Sequence, residues 1–262
     1  MNDCSTPPDW TLSIVSHGHS LEALIRGLAT ALRSPERFEL VITHNLPPSG
    51  ADLTSLWPGP ISIIINVSPK GFSANHNAAL RRGQGRYLAA IDPDLVMLGD
   101  PFDQLAQVLD EPASGIVSPH VLDESGQWAD HARPAPSPWR LLRRHLPGAR
   151  DGSESAPDRI LKTDWVAGLF MAMRADTFAR LNGFDDRYFM YCEDVDLCLR
   201  AWNMELSVQV VPAAAVVHPA RRQSLKKLRH FLWHCASLIR LWTSVSYYRF
   251  LNSERGRISR KG

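Results

Sequence analysis

Short apolar runs alternate with segments of helical periodicity along the N-terminal part of the chain. Apolar and β-branched runs bounded by polar or turn-forming residues predict buried strands at residues 11–16, 38–43, 61–67 and 87–91. Apolar residues that recur every three or four positions predict helices at 20–32 and 72–82. Strands that alternate with helices at this spacing predict an α/β domain with a mostly parallel sheet and crossover helices.

The pattern becomes less regular after residue 101. It predicts helices at 102–109, 175–181 and 193–202, strands at 115–119, 206–211 and 214–217, and a buried apolar segment at 165–173. Residues 133–157 contain five prolines and five arginines with little periodicity, which predicts a long mobile loop of the kind that often forms a lid. No run of about 18 uncharged apolar residues occurs, so the sequence predicts no transmembrane helix.

The net charge of +2 conceals two segments of opposite sign. Residues 219–262 carry eleven Lys and Arg side chains against the single acid Glu254, whereas residues 1–218 carry 18 basic and 26 acidic side chains. Apolar and aromatic residues recur at helical spacing in the same C-terminal stretch. We therefore predict a main α/β domain at 1–222 and a basic amphipathic helical extension at 223–262.

Two interpretations of this extension stay open. A basic, aromatic helix suits the surface of an anionic membrane, where each nearby Lys or Arg contributes ~1 kcal/mol. The same apolar stripe could instead pack on the main domain or on a second copy of the chain, which would form a homodimer.

No nucleic-acid-binding module is recognisable, so nucleic acid is not a predicted partner. The four cysteines show no spacing typical of disulfide frameworks or zinc sites, which favours a reducing, cytoplasmic location.

Asp92 and Asp94 follow directly on a predicted buried strand. The carboxyl ends of strands in a parallel α/β sheet form the ligand crevice, and carboxylates there need a cation or hydrogen bonds. Mg²⁺ or Mn²⁺ shared with a substrate diphosphate would satisfy that need, and His218, at the end of a later apolar run, is a reasonable additional ligand. The alternative is a simple Asp-Pro-Asp turn.

Glu193 and Asp194 open a predicted helix, close in sequence to the aromatic residues Tyr188 and Tyr191. The helix dipole stabilises acidic residues at helix N-termini, so a purely structural role is one interpretation. The other is catalytic, because partial burial raises the pKa of a carboxyl toward the range of a general base. Residues 71–77, a glycine followed by serine and asparagines at the start of a helix, could bind an anionic or hydroxylated ligand.

Five stretches, taken in order, resemble family 2 glycosyltransferases, the inverting enzymes with a GT-A fold. The nearest resemblance is to bacterial rhamnosyltransferases that build O-antigen and other surface polysaccharides. The stretches are LSIVSHGH, NVSPKGFSANHNAAL, YLAAIDPD, DWVAGLFMAMRADTFARLNGFDDRYFMYCEDVDLCLR and VVHPARRQS. They span residues 12–224, and the fourth is the most specific. The resemblance implies a Rossmann-like nucleotide-diphospho-sugar transferase fold, with 1–222 as the catalytic domain.

The resemblance also implies a role for each matching position. Asp94 would hold the divalent ion, Mn²⁺ or Mg²⁺, with Asp92 and His218 as further ligands. Asp194 matches the catalytic base, and Glu193 matches a residue that positions the acceptor or the base. The nucleotide and donor positions are Ser16, Gly18, His44, Asn45, Phe72, Asn75 and Asp92. The donor-sugar and acceptor positions are Trp165, Ala167, Gly168, Tyr191 and Glu193.

The sequence departs from the family pattern after the second strand, where Thr43-His44-Asn45 replaces a pair that includes an aspartate. Altered donor specificity and weakened donor binding are the two interpretations, and the intact metal and base positions favour the first.

We expect an inverting transferase that moves a sugar, for example rhamnose, from a nucleotide diphosphate to a saccharide or lipid-linked acceptor at the inner face of the cell membrane. A nucleotidyltransferase and a degenerate binding protein of the same fold are the alternatives.

Overall fold

A central sheet and the helices that flank it make up the described part of the chain. The computed structural model describes residues 7–47, 52–144, 159–219 and 228–253. The strands are β1 (Trp10–Ser16), β2 (Phe38–His44), β3 (Ile61–Ile65), β4 (Tyr87–Ile91), β5 (Val96–Met97), β6 (Ser114–Leu122), β7 (Ala132–Arg133), β8 (Leu161–Lys162), β9 (Trp165–Val166), β10 (Phe170–Arg174) and β11 (Ser207–Val217). The helices are α1 (Glu22–Ala31), α2 (Phe72–Leu80), α3 (Phe102–Leu109), α4 (Pro138–Arg144), α5 (Ala175–Arg180), α6 (Glu193–Asn203), α7 (Leu228–Trp242) and α8 (Val245–Asn252).

The main sheet changes strand direction near its centre. Its order is β3-β2-β1-β4-β10-β6-β11-β5, with β8 paired to β11, and β7 and β9 form a separate two-stranded ribbon. The strands β3, β2, β1 and β4 are mutually parallel. In contrast, β10 runs antiparallel to both β4 and β6. The mostly parallel α/β sheet predicted from the sequence is therefore confirmed.

Both faces of the sheet are covered, which explains why its central strands are apolar throughout. Along β4, Ala89 and Ile91 lie in the core under α1 and α3. The alternate residues Leu88 and Ala90 lie in the opposite core, under α5 and α6. Strands buried on both faces appear in the sequence as continuous apolar runs, and these runs were the signal that predicted them.

The C-terminal helices α7 and α8 pack on the main domain. Leu241 and Phe250 are fully buried in a cluster that includes apolar residues of α6. The Ser246 hydroxyl in α8 donates a hydrogen bond to the Asp196 carboxylate in α6 at 2.8 Å. Among the helices of the described residues, none combines the length and the apolarity needed to cross a bilayer.

Two predicted elements are wrong in detail. The strands predicted at 206–211 and 214–217 are one strand, β11, whose pairing with β6 shifts around Pro212 and then resumes, because proline has no N–H to donate. The described part of the helical extension predicted at 223–262 is two helices and not one, since the Ser244 hydroxyl accepts a hydrogen bond from the Tyr247 N–H and so caps α8.

Other predictions fall partly or wholly outside the described residues. The segment 133–157, predicted to be a mobile loop, begins with the end of β7 and continues into α4. Its remaining residues, from 145 onward, lie outside the described residues, as does the predicted domain boundary after residue 222.

The backbone of Gly71, just before α2, lies so close to the backbone of Phe189 that residue 71 cannot carry a side chain without a shift. A Cβ at Gly71 would lie 2.3 Å from the Phe189 carbonyl oxygen.

We expect Gly71→Ala to lower the free energy of unfolding by ~1–3 kcal/mol, because the backbone has to move. The matched variant Gly27→Ala in α1, where a Cβ meets nothing within 4 Å, should raise it by ~0.5–1 kcal/mol. Urea unfolding measures both, and equal effects would contradict this close approach.

Candidate active site

Three parallel strands end at one edge of the sheet, and the predicted site residues follow them. β1 ends at Ser16, β2 ends at His44, and Asp92 comes directly after β4. The antiparallel strand β10 begins at the same edge, so the segment just before Phe170 lies beside Asp92. The carboxyl ends of parallel strands form the ligand crevice of such sheets. This edge therefore holds the candidate site.

Two acidic clusters that are far apart in the sequence meet at this edge. The Asp92 backbone N–H donates to the Leu169 carbonyl oxygen at 2.8 Å. The Gly168 N–H donates to the Asp194 carboxylate at 3.0 Å. Because residues 168 and 169 are consecutive, their backbone fixes the position of Asp194 relative to Asp92.

Asp92 and His218 lie side by side. His218 follows β11, where its backbone N–H donates to the Leu122 carbonyl, and its Nε2 is 3.7 Å from Asp92 Oδ1. The same Asp92 oxygen accepts a hydrogen bond from the Asp94 N–H at 2.8 Å. Burial alone raises the pKa of Asp92, but the adjacent His218 ring and the hydrogen bond from the Asp94 N–H bring it below its ordinary value. Asp92 is therefore an anion at neutral pH.

The donor set around Asp92 suits a divalent cation that is shared with a substrate. Within the described ranges, no group of three or more His, Cys, Asp or Glu side chains is placed so that it could hold a metal ion, and this includes the predicted set of Asp92, Asp94 and His218. Asp92 and His218 nevertheless place an ionised carboxylate oxygen and an imidazole nitrogen together, and Asp94 is in the same turn. Mg²⁺ and Mn²⁺ accept such ligands and commonly complete their shells with water and phosphate oxygens. The residues present therefore fit an ion that is held partly by the protein.

The second acidic pair opens α6 after two residues of left-handed backbone. Tyr191 and Cys192 have φ angles of 74° and 64°. Side chains disfavour this conformation, and such residues cluster at functional sites. The turn directs Asp194 toward Gly168, and the Asp194 carboxylate also accepts from the Val195 N–H at 2.8 Å. Glu193 is buried, and its Oε2 has no hydrogen-bond partner among the described residues.

The two carboxyls of this pair differ in how well they tolerate charge. Burial raises the pKa of Glu193 to about 8, and the neighbouring Asp194 charge adds to the effect. Burial also raises the pKa of Asp194, but its two backbone N–H partners and the positive charge of Arg133 oppose that rise. The pKa of Asp194 stays above its ordinary value even so. Because the Asp194 charge is one of the causes that raise the pKa of Glu193, we assign the proton of the pair to Glu193 and the charge to Asp194.

Amide hydrogen bonds form the wall of the predicted nucleotide pocket. Asn45 follows β2, accepts from the Lys70 N–H and donates to the Lys70 carbonyl. The Asn66 amide donates to Asn45 at 2.8 Å and to Asn75 at 2.7 Å. Asn45 and Asn75 are buried, so their amides hold the loop at Lys70 in place. The wall of the predicted nucleotide pocket is therefore held by neutral amides in this chain.

The remaining predicted nucleotide residues lie at the ends of β1 and β2. Ser16 is buried and its hydroxyl donates to the His19 carbonyl at 2.8 Å. Gly18 has a φ of 90°, which a side chain would disfavour, and so permits this tight turn. His19 Nε2 and His44 Nδ1 are buried without a hydrogen-bond partner among the described residues. Unpartnered buried atoms of this kind are often completed by a ligand or water.

The predicted sugar side is held by contacts of the segment 165–168. The Trp165 indole N–H donates to the Pro134 carbonyl at 3.0 Å, and the Ala167 N–H donates to the His131 carbonyl at 2.7 Å. Gly168 lies so close to the Phe72 ring that a Cβ at position 168 would be 2.9 Å from a ring atom. Phe72 thus packs beneath the segment that carries the Asp194 contact.

The predicted acceptor residue Tyr191 contacts the C-terminal helix α7. Its hydroxyl lies 2.9 Å from His230 Nδ1, and its ring stacks on the His234 ring at a centroid distance of 5.1 Å. The Ser237 hydroxyl in α7 donates to the neighbouring Met190 carbonyl at 2.8 Å. The helix predicted as an extension therefore contacts the loop that leads into Glu193.

Sequence analysis did not assign a role to His76 or Arg133. His76 contacts the Ser13 hydroxyl at 2.8 Å, and burial lowers its pKa to about 3, so its ring is neutral. Arg133 lies over the Trp165 ring and brings positive charge toward Asp194. His76 lies one helical turn after Phe72 in the stretch NVSPKGFSANHNAAL, and this motif is a signal that could have identified it. No local sequence pattern indicates that Arg133 lies near Asp194.

The raised pKa of Glu193 predicts that Glu193→Gln changes how stability depends on pH. Below about pH 4.5 the Glu193 carboxyl is protonated in both the folded and the unfolded state. The effect of the substitution on the free energy of unfolding should therefore not depend on pH in this range. Between about pH 4.5 and pH 8 the unfolded parent ionises while the folded parent does not, so the parent loses stability and the variant does not. We expect the variant to be more stable by roughly 2 kcal/mol or more at pH 8, relative to its difference at pH 5.

Urea unfolding at several pH values measures this difference. Glu124→Gln, at an exposed turn position, is the matched control and should not reproduce the gain in stability of Glu193→Gln at pH 8. If the free energy of unfolding of Glu193→Gln changes with pH in the same way as that of the parent, the assignment of the proton to Glu193 is contradicted.

Solved structures with similar folds are glycosyltransferases. GalNAc-T7, solved with UDP, GalNAc and Mn²⁺, gives a TM-score of 0.65 over 93% of this chain and 50% of its own, at 14% identity. Mannosyltransferase PcManGT from Pyrobaculum calidifontis, solved with GDP-Man and Mn²⁺, gives a TM-score of 0.56 over 90% of this chain and 65% of its own, at 17% identity. At these identities the likeness shows the fold alone, and it confirms the predicted GT-A fold.

Sequence relatives include two rhamnosyltransferases. Rhamnosyltransferase WbbL of Escherichia coli (strain K12) is 45% identical over 78 residues, which are 29% of this chain and 30% of that protein. N-acetylglucosaminyl-diphospho-decaprenol L-rhamnosyltransferase of Mycobacterium tuberculosis is 31% identical over 116 residues, 41% of this chain and 38% of that protein. Each match therefore covers well under half of the relative's own length.

A family model described as glycosyltransferase like family 2 matches residues 57–233, which is more than half of the chain. The match includes Asp92, Asp94, Glu193, Asp194 and His218, and it confirms the resemblance found in the sequence. The chain belongs to glycosyltransferase-like family 2.

Proposed function

We propose that this chain transfers a sugar, with inversion, from a nucleotide diphosphate to a hydroxyl of a saccharide or lipid-linked acceptor. One observation carries the proposal: Asp92 and Asp194 bond to the consecutive residues Leu169 and Gly168. With Asp92 as a cation ligand and Asp194 as the base, this arrangement would set the bound cation beside the base. Glycosyl transfer from such donors needs both, a cation for the leaving diphosphate and a base for the acceptor hydroxyl.

The donor side of the proposed reaction depends on Asp92, Asp94 and His218. These residues would hold Mn²⁺ or Mg²⁺, which supplies positive charge to the leaving diphosphate. The Asp94 N–H bond to Asp92 fixes the orientation of the Asp92 carboxylate, and the adjacent His218 ring bounds it on one side. Two relatives in structure were solved with Mn²⁺, which supports a divalent ion.

On the acceptor side, Asp194 is the proposed base. As the ionised member of its pair, it can take the proton from the acceptor hydroxyl while that oxygen attacks the anomeric carbon from the face opposite the diphosphate. The Gly168 and Val195 N–H groups orient its carboxylate without neutralising it. Glu193, protonated at neutral pH, would donate a hydrogen bond to the acceptor or to Asp194.

The sugar and the setting are inferred from relatives. Both sequence relatives are rhamnosyltransferases by name, and one name includes a diphospho-decaprenol lipid, which supports rhamnose as the sugar and a lipid-linked acceptor. Such an acceptor lies in a membrane, so we place the working protein at the inner face of the cell membrane.

A nucleotidyltransferase and a degenerate donor-binding protein are the other candidates. A nucleotidyltransferase would normally carry a basic residue in a glycine-rich loop after the first strand, and here that loop reads Ser16-His17-Gly18-His19. A degenerate protein would bind donor without turnover. The amide network at Asn45 supports donor binding with altered specificity, because the pocket wall is held without the usual aspartate.

Asp194→Asn is the test of the proposed base. We expect the substitution to lower kcat about a thousandfold, because the amide cannot accept the proton, while donor binding stays within twofold. Donor binding is measured by thermal shift with a panel of nucleotide-diphosphate sugars and Mn²⁺, and transfer by product formation.

The matched control is Asp103→Asn, which alters an exposed ion pair with Arg33 and should leave kcat unchanged. Full activity in Asp194→Asn would contradict the assigned base. A parent chain that binds donor sugars but transfers none would favour the degenerate protein.

A further inference from the structure

Helix α7 has two apolar faces on opposite sides. Its inner face packs on the site loop and the core through His230, Trp233, Ser237 and Leu241. Its outer face exposes Leu228, Phe231, Leu232 and Ile239, which are 74%, 63%, 58% and 61% accessible. These outer residues recur at helical spacing, so they form one continuous stripe. We call them the outer stripe.

The outer stripe belongs to a strongly basic part of the sequence. No acidic residue occurs between positions 228 and 253, and this segment carries Arg229, Arg240 and Arg249. Eight further Lys and Arg residues lie in the rest of the 219–262 segment, against Glu254 alone. A stripe of exposed apolar residues in a basic segment suits the interface of an anionic bilayer, where apolar side chains enter the headgroup boundary.

We propose that the outer stripe of α7 docks on an anionic lipid surface. This inference rests on the proposed function, since it places a lipid-linked acceptor near the site. A second copy of the chain fits the stripe less well, because symmetric pairing would bring together two strongly basic segments. The inner face of the same helix contacts Tyr191, so a docked α7 would set the acceptor side of the site close to the lipid surface.

Vesicle partition of the full chain tests this proposal. The probes are vesicles of phosphatidylcholine with phosphatidylglycerol and vesicles of phosphatidylcholine alone, at low salt. We expect binding to the anionic vesicles only, and Phe231→Glu/Ile239→Glu should lower the partition coefficient at least about tenfold. The matched control is Ile63→Glu/Val67→Glu on exposed apolar positions in and after β3, which should partition as the parent does.

Several outcomes would overturn the proposal. They are a parent that ignores anionic vesicles, a stripe variant that partitions as the parent does, and a parent dimer that the stripe variant converts to monomers. Phe231→Ser/Ile239→Ser serves if the Glu variant does not fold. Partition needs neither donor nor acceptor, so a chain that docks as expected but transfers no sugar would refute the proposed function and leave the docking surface intact.

A separate observation concerns the inner face of α7. The loop from Tyr188 to Cys192 is held from two directions, by the Phe72 N–H bond to the Phe189 carbonyl on one side and by α7 on the other. Within it, Tyr191 has a strained backbone, a bond to His230 and a stacking contact with His234. A side chain so constrained two residues before Glu193 has little freedom to turn away.

We infer that His230 is a positioning residue that acts through Tyr191 on the acceptor side of the site. This also rests on the proposed function. His230→Ala and Tyr191→Phe should each raise the acceptor KM about fivefold, which is the loss of one hydrogen bond, with the donor KM unchanged. The double variant should lose no more than one single variant does. His230→Gln, which can still bond to the hydroxyl, should recover most of the parent KM.

Trp242→Phe is the matched control in the same helix. It removes the indole bond to the Pro136 carbonyl and should lower stability without changing the acceptor KM. An active parent whose acceptor KM is unaffected by His230→Ala, or a double variant whose losses multiply to about twenty-five-fold, would overturn this inference alone. A parent without any transfer activity would overturn it together with the proposed function.

Discussion

Two hydrogen bonds made by the backbone of the consecutive residues Gly168 and Leu169 hold the candidate site together. The Leu169 carbonyl accepts from the Asp92 N–H, and the Gly168 N–H donates to the Asp194 carboxylate. Asp92 lies at the end of β4, while Asp194 lies in α6. Because peptide geometry fixes the spacing of consecutive residues, the backbone of Gly168 and Leu169 sets how far the Asp194 carboxylate lies from the backbone of Asp92.

The same segment explains why the surroundings are so constrained. Gly168 can lie on the Phe72 ring only because it has no side chain, and Gly71 can approach Phe189 for the same reason. The start of α2 therefore packs on two segments, the one just before β10 and the loop that leads to Glu193. The left-handed residues Tyr191 and Cys192 then turn the chain into α6 with its carboxylates facing Gly168. The strain in this turn is compensated by packing from α2 and α7.

The sequence predicted the elements of the fold well because apolar periodicity directly reports burial. It also marked Asp92, Asp94, Glu193 and Asp194, since acids at strand and helix ends are informative on their own. It could not show that Asn45, Asn66 and Asn75 bond to one another, because such contacts depend on the tertiary arrangement of separate loops.

The role of α7 was equally hidden from the sequence. The helix was predicted from its apolar and basic residues, and its apolar side was assigned a single partner, either a membrane or protein. When a helix has apolar residues on two opposite sides, its sequence shows only that many of its residues are apolar. The sequence does not show which side packs on the protein. The contacts of His230 and Ser237 with the site loop define which face is which.

The position of β10 has a consequence for how the chain folds. This strand lies between β4 and β6, yet both of those strands precede it in the sequence. During synthesis β4 and β6 emerge first, and they must remain separate until β10 enters between them with its antiparallel direction. Gly168 and Leu169 arrive with β10, so the two halves of the site come together only when the centre of the sheet closes. Sheets that depend on such long-range pairing fold slowly, and the N-terminal strands alone would hold half of a site.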